Sequence, residues 1–147
     1  MATTTSLTNN FRKGLLQGAY DFDAAVQDYY MALYNGETHN QNTGAYTVTN
    51  EASGTGYTAA GLDMGDFTQA TDTTNHVSHL DNTTDPSWAT STITATACMI
   101  YRNGGTVPVA NASVYVGDFG GSRSSSAGTF TVVLPAAAYN TSIIRLA

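Results

Sequence analysis

An all-β fold, mainly antiparallel and built as a β-sandwich or small barrel behind one short N-terminal α-helix, is predicted by three features of the sequence. Apolar residues and threonines alternate along "SWATSTITATACMIYR", the two-residue period of a half-buried strand. Threonine makes up about one residue in six of the 147, a bias that suits strands with uncharged faces. Turn signals such as Asn35-Gly36 and Asn103-Gly104-Gly105 recur at short spacing, and only one stretch carries a helical period.

Taken in order, residues 1–8 lack a core pattern and predict a flexible arm ahead of a single β-rich domain spanning 9–147. In residues 9–18 Thr8 or Asn9 can cap a helix, Phe11, Leu15, Leu16 and Ala19 form its apolar stripe, and Gly18 lies where it would end. "VQDYYMALYNG" reads as a strand apolar on both faces, and a second strand is expected around "AYTVTNE". In the long run Ile93, Ala95, Ala97, Met99 and Tyr101 share one face until Cys98 and Ile100 break the alternation. "ASVYVGDF" and "TFTVVLP" predict two more strands, "GGSRSSSAG" between them a flexible loop or hairpin tip, and "TSIIRLA" a closing strand.

The formal charge is −6 and charged residues are only 11% of the chain. Phosphate neutralisation needs clustered cations, so nucleic acid is not an expected partner. No run approaches a membrane span and the N-terminus lacks the apolar core of a signal peptide, which predicts a protein kept in the cytoplasm until assembly, without a membrane partner. Cys98 is the only cysteine, so no disulfide can form within the chain. The Asn-x-Ser/Thr triplets at Asn82, Asn111 and Asn140 are expected by chance in so Thr-rich a sequence.

Several patterns invite chemistry. "NEASGTGYTAAG" places Gly54, Gly56 and Ala59 at the G-x-G-x-x-A spacing of dinucleotide sites, but no helix follows to meet a phosphate, so the glycines are expected to serve bends. His76 and His79 would point to opposite faces of a strand and lack a third ligand nearby in the sequence. Asp63, Asp66, Asp72, Asp81 and Asp85 lack the alternation and closing Glu of an EF-hand. Asp118-Phe119-Gly120 stands without the other parts of a kinase, and no serine sits in a G-x-S-x-G elbow. Tyr57, Trp88 and Tyr101 could line a sugar-binding surface or pack in strand pairs. No catalytic residue, metal ligand or cofactor site is predicted.

The segments "NNFRKGLLQGAYDF", "YYMALYN", "TNEASGTGYTAAGLDM", "PSWATSTITATACMIYRN" and "DFGGSRSSSAGTFTVVLP" resemble, in that order, a family of small virion structural proteins of tailed bacteriophages, including cyanophages. The resemblance covers nearly the whole chain after residue 8. Departures are Ala60 before Gly61 where many members have a Gly pair, Thr96 in place of an Arg, and a different C-terminal "AAAYNTSIIRLA". The resemblance implies a non-enzymatic virion component: a capsid decoration (cement) protein on the outside of the head, with the major capsid protein and further copies of itself, as a trimer, for partners. The alternative is a tail fibre, adaptor or receptor-binding module. Arg12 and Lys13, two cations beside a neutral arm on an acidic protein, read first as a solvated helix face and, as the alternative, as a contact with the capsid.

Overall fold

The computed structural model describes residues 3–22, 27–36, 38–82 and 84–147. It shows the expected mostly antiparallel β fold with one short helix, its sheets not closed into a barrel. The elements are β1 Ser6–Leu7, α1 Asn9–Leu16, β2 Tyr29–Tyr34, β3 Leu62–Asp63, β4 Phe67–Asp72, β5 Val77–Asn82, β6 Ser87–Ser91, β7 Thr94–Arg102, β8 Ser113–Ser124, β9 Gly128–Thr131 and β10 Ile144–Leu146. They form a five-stranded sheet in the order β1-β8-β7-β2-β3, a three-stranded sheet β10-β5-β4 and a β6-β9 pair.

β2 and β7 are the centre, and both are buried on both faces. Met31 and Leu33 point into the main core with Phe11, Ile93, Cys98 and Ile100, while Ala32 and Tyr34 meet Ala97, Met99, Tyr101 and Val116 on the other side. The broken alternation in β7 has a structural cause. The β7–β8 register shifts between Ala95 and Ala97, so Ala95 belongs to the main core and Ala97 to the second layer. On β8 the same shift lies between Asp118 and Arg123, and the intervening Phe119, Gly120, Gly121 and Ser122 bulge out of the ladder.

β6 runs into β7 and β8 into β9, so the β6-β9 pair continues the β7-β8 pair through a bend. "GGSRSSSAG" is therefore not a free hairpin tip. At the bend the Ser91 and Ser125 hydroxyls lie 2.8 Å apart, Ser125 N–H donates to the Ile93 carbonyl at 2.9 Å, and Ala127 N–H donates to Thr92 Oγ1 at 3.1 Å. Small hydroxyl side chains satisfy the main-chain groups that the bend takes out of the ladder.

The helix begins as expected: Thr8 Oγ1 accepts from Phe11 N–H at 3.2 Å and donates to the Ser113 carbonyl at 2.6 Å, capping the helix and tying it to β8. Phe11 and Gly14 are buried and Leu15 is half-buried, but Leu16 is 92% exposed. At about 100° per residue Leu15 lies about 40° from Phe11 around the helix and Leu16 about 140°, so Leu16 leaves the stripe expected of it. Residues 3–8, expected as a loose arm, are attached: Thr4 N–H donates to the His39 carbonyl, Asp118 N–H donates to Thr5 Oγ1, and β1 pairs with Val116 and Tyr115.

One other expectation is corrected. "AYTVTNE" forms no strand, and its strand-like pairing is limited to single bridges at Ala45–Ala112 and Tyr34–Glu51. The polar segment after Gly61 supplies β3, β4 and β5 instead, with Asp72 Oδ1 accepting from Thr74 and Asn75 N–H to close the β4–β5 turn.

Candidate functional site

The glycine-rich loop carries a dense cluster of polar contacts. Gly54 (φ 141°) lies so close to the strands that an added Cβ would overlap the Thr92 carbonyl oxygen, and at Gly61 (φ 87°) it would overlap that of Met31. Gly56 (φ 79°) packs against Ser91, and Thr92 N–H donates to the Thr55 carbonyl at 2.9 Å. The close approach that glycines give a phosphate elsewhere is here an approach to the protein's own backbone. β3, not a helix, follows the loop.

Glu51 closes this loop. Its Oε1 accepts from the Tyr57 hydroxyl and from Ala60 N–H, both at 2.7 Å, and its Oε2 accepts from the Tyr46 hydroxyl at 2.6 Å. Tyr57 Oη accepts in turn from Leu33 N–H at 3.0 Å. The Tyr101 hydroxyl donates to the Ala60 carbonyl at 2.8 Å, and the Tyr46 and Tyr101 rings stack at 4.6 Å. Burial first, then the neighbouring carboxylate, raises the Tyr46 and Tyr57 hydroxyls well above the usual phenol range, so they stay donors. Both carboxylate oxygens are engaged in fastening the loop to β2 and β7. Glu51 is one of only two glutamates in a chain with nine tyrosines, and no motif in the sequence marks it.

The other patterns are dispersed. His76 sits exposed in the β4–β5 turn (φ 56°), while His79 is half-buried in β5. Asp81 is buried and accepts from Asn82 N–H at 2.9 Å; burial and then nearby Asp85 raise its pKa, against the pull of the Asn82 N–H and His79. The Asp72 carboxyl is held below its ordinary value by the Asn75 and Thr74 hydrogen bonds, and Asp63 and Asp66 are exposed. Among the described residues no three His, Cys, Asp or Glu side chains converge as metal ligands. Asp118 Oδ1 accepts from Gly120 N–H at 3.1 Å and caps the bulge. Trp88 and Tyr101 are buried and Tyr57 stacks on Trp88 at 5.9 Å, so these rings are packing and not an exposed sugar platform. Asn82 is likewise buried, its amide donating to the Met64 carbonyl.

Arg12 and Lys13 are exposed on the helix, Arg12 donating to Asn9 Oδ1 at 3.2 Å. A groove of about 660 Å³ lies inside the bend of the ribbon, walled by Asp118, Phe119 and Arg123 on one side and by Phe130, Val132 and Leu134 on the other. No family model, curated protein or solved structure matches this chain.

Proposed function

We propose that this chain is a non-enzymatic structural protein of a phage virion, a capsid decoration (cement) protein that binds the outside of the head and stabilises the major capsid shell. The observation that carries the reading is the fate of the polar residues: Glu51, the loop glycines, the bend serines and the turn aspartates are engaged in holding strands and loops. What faces outward is a sparsely charged, Thr-rich surface suited to broad contact. The resemblance of the sequence segments to phage virion proteins supplies the setting.

Cement acts by linkage. A protein that binds only the assembled shell stabilises it by RT ln(1 + [L]/Kd), about 2.7 kcal/mol per site at a hundredfold excess over Kd. The test is reconstitution: purified protein is added to heads stripped of it, and co-sedimentation and the temperature of genome release are measured. Saturable binding with a raised release temperature is expected; no binding to heads, or binding confined to tails, contradicts the reading and favours a tail module. Saturable ATP or NAD binding that is lost on changing Gly56 would contradict the non-enzymatic part.

A further inference from the structure

We propose that the open edge of β9 is a self-pairing surface, at which two copies of this chain join their strands antiparallel into one continuous sheet, β6-β9-β9-β6.

The direction of the main-chain groups is fixed by their partners. Val132, just past β9, donates its N–H to the Pro86 carbonyl at 3.0 Å and Phe130 stands opposite Trp88, so in β9 and the segment that continues it the main-chain groups of the even-numbered residues face β6. The N–H and C=O groups of Thr129, Thr131 and Val133 therefore point the other way, where they have no strand partner among the described residues. Their side chains are exposed, Val133 by 78%. The groove inside the bend lies beside the same residues, so the edge opens onto space.

Charge distinguishes this edge from the others. Unpaired strands are normally protected by charges, prolines, shortness or a covering loop. β4 carries Asp72 and follows Asp66, β10 carries Arg145, β3 ends on Asp63, β1 is two residues long, and the open side of β6 is covered by the loop at Thr55 and Gly56. β9 is short, at four residues, but carries no charge or proline, and no charged residue occurs between Arg123 and Arg145. In a molecule of charge −6 this is the longest run free of charge, so pairing at this edge places no like charges on the seam. The β8 wall of the groove carries one charge of each sign, Asp118 and Arg123, so it adds no net charge beside this edge. Pairing centred on Thr131 sets Thr129 opposite Val133 of the second copy and forms about six main-chain hydrogen bonds.

Identical edges paired antiparallel close after two copies, so the unit is a dimer in place of the expected trimer. This deepens the self-assembly part of the function proposed above, and its test needs no virion, so either can fail alone. Sedimentation velocity on the full chain over a dilution series is expected to give twice the 15.4 kDa chain mass. Thr131→Lys with Val133→Lys should weaken the dimer at least about tenfold through unmatched charge at the edge, with an unchanged far-UV spectrum and melting curve of the monomer. Thr73→Lys, in the exposed β4–β5 turn, should leave the dimer intact. A wild-type monomer at every concentration, a trimer, or a folded double-lysine variant that dimerises as well as wild type overturns the proposal.

Discussion

The Glu51 carboxylate receives hydrogen bonds from Tyr46, Tyr57 and Ala60, joining the glycine-rich loop to the central strands. Removing the acceptor while leaving part-buried donors behind costs about 1–3 kcal/mol per site, so Glu51→Ala should lower the unfolding free energy by about 2–3 kcal/mol in urea. A loss under about 0.5 kcal/mol would show that the loop holds without its carboxylate. A second residue-scale prediction concerns alkali. Burial pushes the Tyr20, Tyr101 and Tyr115 hydroxyls up to about 12 and those of Tyr29, Tyr34, Tyr46 and Tyr57 higher still. An unfolded tyrosine titrates near pH 10, so above that pH the unfolded chain loses protons that the fold retains. This stabilisation is complete below about pH 10 and is lost as pH rises toward about 12. Melting temperature should fall steeply across that window; a flat profile through it would contradict the burial of these rings. The tyrosines are plain in the sequence, but their convergence on Glu51 is not, because the partners come from loops with no periodicity.

At the scale of elements, the helix gives the sharpest contrast. Phe11 is buried with its ring 5.0 Å from that of Tyr20, so Phe11→Ala should cost about 3–5 kcal/mol. Leu16→Ala should stay within about 0.5 kcal/mol, since its side chain is exposed. Equal losses at the two positions would mean that the helix is rotated from the orientation described. Deleting residues 1–8 also removes β1 and the Thr8 cap, so the truncation disturbs the fold as well as any contact made by the arm. The helix with its Thr8 cap, and the strands β2, β7 and β8, were legible because apolar period and capping chemistry mark them locally. β4 and β5 were not: in "FTQATD" and "VSHLDN" only Phe67, Val77 and Leu80 are buried apolar side chains, too few for a period to stand out. "AYTVTNE" had the composition of a strand, yet no sheet edge accepts it beyond isolated bridges. The bend at "SRSSSAG" shows the same limit, since serines favour turns and here close one inside a continuous ribbon.

For the whole molecule, the sequence carries the all-β class and the central strand pair, because two-residue alternation and burial on both faces are local signals. The division into five-, three- and two-stranded sheets depends on register and long-range pairing that no local pattern encodes. The site was legible chiefly as a negative expectation about the glycine spacing, and the Glu51 cluster that explains the loop came from the fold. If the sparsely charged β surface serves attachment to a phage head, as proposed, the number of copies per particle follows from it. Purified virions, resolved on a quantitative gel, give the ratio of this chain to the major capsid subunit. A ratio of the order of unity, retained in heads separated from tails, is expected. A handful of copies per particle, travelling with the tail fraction, would contradict it.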